Sequence, residues 1–112
     1  MKRKLQTKNF FLKESYVNSS GDSMWDIVSK NDQKTFFIHV FENGHLNIQF
    51  KKTFINNPQD AIKALCIFLI NQGLVPTIMI TRQNNSLIGL CRKSGFKKVK
   101  HTRNLYIFSV KN

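Results

Sequence analysis

The dipeptide Asn43-Gly44, between two apolar segments, is the sequence feature that most restricts the fold of this chain. Both residue types tolerate positive φ, so the dipeptide predicts a two-residue type I′ turn that joins strands over 35–41 and 45–50. Because side chains alternate between the faces of a strand, this register fixes which of them lie together. The face predicted to be buried carries six side chains: Phe37, His39, Phe41, Leu46, Ile48 and Phe50. The fold is therefore expected to contain an antiparallel hairpin packed against a core.

Helix and strand signals follow the hairpin in a regular order. Asn57 and Pro58 are typical of an N-cap and a first helical residue, and the predicted helix runs to about residue 71, just before Gly73. The other predicted elements are a strand over 24–29 before the hairpin, then a strand over 77–81, a helix over about 85–93, and strands near 96–100 and 105–110. We therefore expect an α+β fold, with a mixed, mainly antiparallel sheet and two helices.

Length and apolar content indicate one domain over residues 1–112. A hydrophobic fraction of 41% with ten Phe is enough for a packed core. Residues 1–13 are expected to form a basic N-terminal arm that is ordered only through Phe10, Phe11 and Leu12.

Cysteine usage and hydropathy indicate a cytoplasmic protein. Cys66 and Cys91 lie in apolar runs, which is typical of reduced, buried thiols. The longest apolar run, 64–70, is too short to cross a bilayer, and no signal peptide is visible. Heavy use of Lys, Asn and Phe is typical of an AT-rich genome, such as that of a phage or a low-GC bacterium, and a phage protein would act in the host cytoplasm.

Charge is unevenly distributed along the chain. Lys and Arg total 18 against 6 acids, a formal net charge of +12, and every acid lies at or before Asp60. Because self-repulsion destabilises the compact state, this surplus indicates a polyanion such as a nucleic acid, or an acidic protein, as the partner. The alternative is solvated lysines that keep the protein soluble. Nine bases in two clusters are the predicted contact residues: Lys2, Arg3, Lys4, Arg92, Lys93, Lys97, Lys98, Lys100 and Arg103.

The strand near 96–100 carries the densest part of the second cluster. Regular alternation predicts Lys98 and Lys100 on one face of this strand. Tyr16, Trp25 and Tyr106 could stack on nucleobases if they are exposed near the lysines, and core packing is the alternative for each.

The segment over 84–96 resembles a motif of the GNAT N-acetyltransferase family, Asn-x-x-Ala-x-x-Leu-Tyr-x-Lys-x-Gly-Phe. Five residues match it in register: Asn84, Leu90, Lys93, Gly95 and Phe96. The order of elements after the hairpin also resembles the C-terminal two thirds of the family. The resemblance covers roughly residues 35–110 and implies an acetyl-coenzyme A-dependent N-acetyltransferase, with Asn84 near the cofactor.

Two departures from the family pattern count against that activity. Cys91 stands where the family has the tyrosine that often protonates the coenzyme A thiolate, so Cys91 is only a weak candidate for the catalytic acid. The family's glycine-rich pyrophosphate loop is also missing: Pro58 removes one backbone amide, and Asp60 places a negative charge in the first turn. A degraded cofactor site, with no cofactor bound, is the expectation.

The histidines supply one further catalytic candidate and no metal site. His39 is predicted on the apolar face of the hairpin, either as a catalytic base or as a satisfied core histidine. His45 is predicted on the opposite face, and His101 lies far along the chain, so the three do not converge on a metal. The sequence therefore favours a strongly basic, non-catalytic GNAT-like module that binds a nucleic acid or an acidic protein. The alternative is an acetyl-coenzyme A-dependent N-acetyltransferase with an atypical pyrophosphate loop.

Overall fold

The computed structural model describes residues 2–50 and 55–110, and these form eight strands and two helices. In chain order the elements are β1 (Lys4–Gln6), β2 (Phe10–Val17), β3 (Ser23–Ser29), β4 (Thr35–Val40), β5 (Leu46–Phe50), α1 (Gln59–Asn71), β6 (Thr77–Thr81), α2 (Asn85–Lys93), β7 (Lys97–His101) and β8 (Leu105–Ser109). The predicted α+β class, with antiparallel pairing and two helices, is confirmed.

The strands form two antiparallel sheets. Sheet A has the order β1-β2-β3-β4-β5, and sheet B has the order β6-β8-β7. Among the described residues, a single parallel bridge between His45 and Thr77 connects the sheets. We call the region where β5 and β6 meet at this bridge the seam.

The hairpin between β4 and β5 forms, but the predicted register is wrong by one residue on β4. Val40 pairs with Leu46, and the Phe41 N–H donates to the His45 carbonyl at 2.9 Å. Gly44, at φ +93°, donates its own N–H to the Phe41 carbonyl at 2.9 Å. The loop therefore has three residues and ends in a left-handed glycine, whereas a type I′ turn has two.

This shift exchanges the two faces of β4. Phe36, Ile38 and Val40 are buried, whereas Phe37 and His39 lie on the outer face and are half-buried. On β5, Leu46 and Ile48 are buried as predicted, and Phe50 is 41% exposed. The run Phe36-Phe37-Ile38 is apolar throughout, so either register fits the pattern, and the longer loop selects the observed one.

The basic N-terminal segment is not a separate arm, because it supplies β1 and β2. Phe10 and Leu12 are buried, and Phe10 pairs with Ser29 of β3. Glu14 continues the inward face of β2 and is 1% exposed. It accepts hydrogen bonds from the Arg3 guanidinium, the shortest at 2.6 Å from Nη2.

Both helices contribute to one core with the inner faces of the sheets. Phe68 of α1 packs edge-on against Trp25 of β3, with ring centroids 5.6 Å apart. Cys66 of α1 and Cys91 of α2 are both buried in this core, as predicted. The apolar surface of α1 is not covered all round, since Ile67 is 60% exposed. In the described part of the chain, no helix is both long and apolar enough to cross a membrane.

Candidate functional site

A groove begins between the start of α1 and one face of α2. Its first cavity, of about 720 Å³, lies between residues 56–59 and the α2 residues Ser86, Gly89 and Lys93. A second cavity of about 250 Å³ shares Phe50, Ser86 and Leu90 with the first. Because these cavities share walls, they are neighbours, and together they lie from the start of α1 along α2.

The groove then passes through the seam to the outer face of the sheets. A third cavity of about 390 Å³ shares Ile48 and Leu87 with the second. A fourth, of about 550 Å³, shares Phe41, His45 and Met79 with the third. We use the term groove for these four cavities together. Its two ends lie on opposite sides of the strands.

The first turn of α1 forms one wall at the beginning of the groove. Pro58 is the N-cap, and no side chain caps the helix. Asn57, at φ +53°, contributes through its backbone, because its carbonyl accepts the Asp60 N–H at 3.2 Å. Asn57 was predicted to be the N-cap, and its side chain instead accepts a bond from Gln59 Nε2 at 3.4 Å. The positive end of the α1 dipole therefore lies at the first cavity.

The facing wall is α2, which begins as predicted. The Asn84 side chain caps this helix by accepting the Leu87 N–H at 3.2 Å, so its oxygen is already engaged. Gly89 lies in the middle of the helix, where glycine destabilises by roughly 1 kcal/mol relative to alanine. A Cβ at Gly89 would have no heavy atom within 4 Å. Internal packing therefore does not require a glycine at this position, and the missing side chain widens the groove.

His45 lies at the far end of the groove, next to the bridge between the sheets. Its Nδ1 is 3.3 Å from Thr77 Oγ1, and burial lowers the pKa of the imidazole. A neutral imidazole is a competent proton acceptor near neutral pH. The fourth cavity also contains Asp22 and Glu42, two of the six acids in this strongly basic chain.

Two weak catalytic candidates from the sequence lie outside the groove. Cys91 is 1% exposed, and burial raises the pKa of its thiol to about 12. A thiol buried in the core does not reach a ligand in the groove. His39 lies on the outer face of β4, where its ring stacks on Phe41 with centroids 4.3 Å apart. It is neither a core histidine nor a wall of the groove.

His39 and His45 were predicted on opposite faces of the hairpin, and the structure places them on the same face. Phe41 lies between them, with 5.6 Å between its ring centroid and that of His45. The cause is the one-residue register change on β4. Within residues 2–50 and 55–110, no group of three His, Cys, Asp or Glu is arranged to hold a metal ion.

The structure divides the predicted contact bases into different environments. Arg3 is held in the ion pair with Glu14, and its guanidinium carbon lies 5.0 Å from the Phe68 ring centroid. Lys93 lines the first cavity, whereas Lys2 and Lys4 are exposed near β1. The remaining bases of the second cluster are all exposed: Arg92, Lys97, Lys98, Lys100 and Arg103.

Lys98 and Lys100 do not share a face, which corrects the prediction from regular alternation. Lys98 pairs with Phe108 of β8 and Lys100 pairs with Ile107, so their side chains point to opposite faces. A β-bulge between Lys98 and Lys100 causes the change, because Val99 is the extra residue. β7 is also an edge strand of sheet B, where lysines discourage pairing with another chain.

Sequence reasoning missed the residues that define the groove. The predicted site residues do not include His45 or Gly89. A glycine in a helix interior is a usable signal, since it lowers stability unless space is needed. No local pattern indicates that residues 56–59 and α2 face each other, because their proximity depends on the tertiary fold.

Comparison with known proteins identifies a relative in fold. No protein-family model matches this chain, and no curated protein matches it. The crystal structure of a "putative acetyltransferase" from Sphaerobacter thermophilus DSM 20745 superposes on it with a TM-score of 0.64. The sequences are 11% identical, and the match covers 96% of this chain and 95% of the other. At this identity the likeness concerns the fold alone, and it agrees with the fold that the GNAT resemblance predicts: the chain has an acetyltransferase-like α+β fold.

Proposed function

We propose that this chain binds an acyl-coenzyme A in the groove and transfers the acyl group to an amine. The observation that carries the proposal is the row of adjoining cavities that share walls from the start of α1, past the seam, to His45. A long thioester ligand needs such a passage, with phosphates at one end and the reacting carbon at the other. The shared fold with an acetyltransferase-like structure supports the same ligand class.

The first cavity suits the phosphate end of this ligand. Lys93 supplies a positive charge, and the α1 N-terminus supplies the positive end of a helix dipole. Pro58 lacks an N–H, and Asp60 lies in the first turn, so phosphate binding is weaker than at a glycine-rich loop. Apolar walls at Phe50 and Leu90 contribute the remaining contacts.

His45 is the residue that we assign to proton removal. In the proposed reaction the amine nitrogen forms a bond to the thioester carbonyl carbon, and the carbon–sulfur bond breaks. The substrate ammonium first loses one proton to water, the imidazole of His45 accepts the second from the attacking nitrogen, and water supplies a proton to the departing thiolate. Asp22 and Glu42 in the same cavity would attract a positively charged amine substrate.

Acetyl-coenzyme A should raise the melting temperature of the protein. Ligand at 100 times its Kd stabilises the native state by about 2.7 kcal/mol, which is a shift of several degrees for a domain of this size. Pyrophosphate at equal ionic strength is the control, because a strongly basic protein binds many anions. An unchanged melting curve in acetyl-coenzyme A, or an equal shift in pyrophosphate, would contradict the proposal.

Gly89 offers a matched pair of variants for the groove. Gly89→Ala should stabilise α2 by roughly 0.5–1 kcal/mol and keep acetyl-coenzyme A binding. Gly89→Phe should fold but fill the first cavity and abolish the shift. Equal binding by both variants would show that the ligand lies elsewhere.

Binding of a polyanion is a second candidate function. Five of the six bases between Arg92 and Arg103 are exposed outside the groove, and no carboxylate within residues 2–50 and 55–110 forms an ion pair with any of them. The partner is a nucleic acid or an acidic protein, as the sequence predicts. This function is compatible with the first, since the two use different surfaces.

A further inference from the structure

Tyr106 of β8 lies at the centre of a cluster of positive charges. Lys98 Nζ lies 4.7 Å from the centroid of its ring, and the Arg82 guanidinium carbon lies 5.2 Å from it. His101 pairs directly with Tyr106 across the ladder. Hydrogen bonding to Arg82, and then the charges of Arg82, Lys98 and Arg92, lower the pKa of the Tyr106 hydroxyl. We call Tyr106, Arg82, Lys98 and His101 the Tyr106 cluster.

The fold holds the members of this cluster in place. Arg82 Nη1 donates to the Arg103 carbonyl at 3.3 Å, and the Arg82 N–H donates to the Asn104 carbonyl at 3.1 Å. Lys98 pairs with Phe108 and so lies on the face of sheet B that Tyr106 shares, while the bulge at Val99 turns Lys100 to the other face and places His101 opposite Tyr106. The positive charges are thus brought together by backbone geometry, although they repel one another.

Nothing in the described part of the protein neutralises the cluster. The ion pairs there join Arg3 to Glu14 and Lys34 to Asp32, and every acid of the chain lies at or before Asp60. The cluster is also separate from the groove. None of its four residues lines any of the four cavities of the groove.

We propose that the Tyr106 cluster binds a phosphate of a single-stranded nucleic acid, with Arg82 and Lys98 around the phosphate and the Tyr106 ring beside a base. Guanidinium groups suit phosphate oxygens in geometry, and a partly exposed aromatic ring among cations suits a nucleobase. The ring favours a nucleic acid over an acidic protein, whose carboxylates need no stacking surface. This site rests on the second candidate function.

Paired variants distinguish binding at the Tyr106 cluster from nonspecific attraction between DNA and a basic protein. The probe is a fluorescent 12-nucleotide single-stranded DNA, titrated by anisotropy at several salt concentrations. Arg82→Gln and Lys98→Gln should each weaken binding and reduce the slope of log K against log salt by roughly 0.7. Lys93→Gln and Lys100→Gln remove the same charge outside the cluster and should leave the slope nearly unchanged. Equal effects of all four variants would overturn the proposal.

The aromatic ring needs its own variant. Tyr106→Leu should weaken binding of the same DNA about tenfold, and Tyr106→Phe should restore most of the loss, because stacking requires the ring. Circular dichroism of each variant shows whether it folds. Should Tyr106→Leu unfold, Arg82→Gln and Lys98→Gln still decide the question, because both side chains are at the surface.

A spectroscopic measurement reports on the cluster directly. In a Tyr16→Phe background, the alkaline absorbance titration of tyrosine reports Tyr106 alone. Single-stranded DNA should raise the titration midpoint, because phosphate neutralises the surrounding cations, whereas polyglutamate should change it little. DNA binding without such a shift would refute this site but leave the second candidate standing. If the unmodified protein does not bind the DNA at low salt, both fail, and the acyltransferase proposal is unaffected.

Discussion

At the scale of single residues, the pair formed by Arg3 and Glu14 shows how a charge enters this core. Burial tends to raise the pKa of Glu14, but hydrogen bonds from the Arg3 side chain and backbone outweigh it, and the pKa is lowered. Arg3 also covers the rings of Phe68 and Trp25. Glu14 explains why β2 was not predicted: a carboxylate at an inward position interrupts the alternation begun by Phe10 and Leu12.

Removing Arg3 should destabilise the protein in a pH-dependent way. Arg3→Met leaves a buried carboxylate with the backbone N–H of residue 3 but without its guanidinium donors, and it should lower the free energy of unfolding by about 1–3 kcal/mol at neutral pH. The loss is smaller than for a fully buried pair, because the Arg3 side chain is 44% exposed. Urea denaturation measures the change, with Lys2→Met as the exposed control.

The sign of the pH effect follows from the lowered pKa of Glu14. In the native protein the stability that Glu14 contributes is present above its unfolded pKa and is lost as the pH falls through the folded pKa. In Arg3→Met the side-chain hydrogen bonds and the charge of the guanidinium are lost, so burial weighs more and the pKa of Glu14 should be higher than in the native protein. The difference in stability between the two proteins should therefore shrink on acidification, and a constant difference from neutral pH to about pH 3 would contradict the assigned ion pair.

At the scale of elements, the sequence determines helix ends and turns better than strand faces. α2 and the end of α1 at Gly73 follow from short-range capping signals and were predicted closely. The faces of β4 and β7 were predicted wrongly. A third residue in the loop between β4 and β5 shifts the register of β4, and a bulge in β7 changes the alternation of its side chains. A single-residue insertion does not change the pattern of a segment that is apolar or basic throughout, so the sequence does not reveal it.

Of the glycines in the fold, Gly44 should be the least tolerant of substitution. It has φ +93°, and a Cβ added there would lie 2.6 Å from the Val75 carbonyl oxygen. Its carbonyl also accepts the Thr77 N–H at 3.2 Å. Gly44→Ala should therefore cost roughly 2 kcal/mol or more, since left-handed strain and displacement of the seam add together.

Gly73 is the matched control for this change. It has φ +83°, and a Cβ there would have no heavy atom within 4 Å. Gly73→Ala should cost only the left-handed strain, about 1–2 kcal/mol. Thermal unfolding of the two variants separates the cost of left-handed strain from the cost of the clash with Val75. Equal losses of stability in both variants would show that the Val75 contact is unimportant.

At the scale of the whole molecule, the charge composition predicted a basic surface but did not indicate which residues of that surface contact a ligand. The sequence shows that no acid follows Asp60, yet only the fold separates Lys93 in the groove from Lys98 beside Tyr106. The groove itself was unpredictable for a related reason. Its walls come from β5, α1, β6 and α2, and their meeting depends on packing across the sequence.

The net charge of +12 should make stability rise with salt. Moderate ionic strength screens the repulsion among exposed bases, while the partly buried Arg3–Glu14 pair is screened less. We expect the melting temperature to increase between roughly 20 and 300 mM sodium chloride. A decrease would mean that attractive ion pairs outweigh the surplus of like charges. Sodium chloride is preferred to phosphate salts, which could bind the Tyr106 cluster.

The bridge between His45 and Thr77 has a consequence for folding cooperativity. Among the described residues it is the only ladder pair between the two sheets, so backbone pairing does little to couple them. The coupling depends instead on side chains of α1 and α2 in the shared core. Sheet B with α2 can therefore behave as a cooperative unit distinct from sheet A. A ligand that spans the seam would join the two units and suppress their separate unfolding.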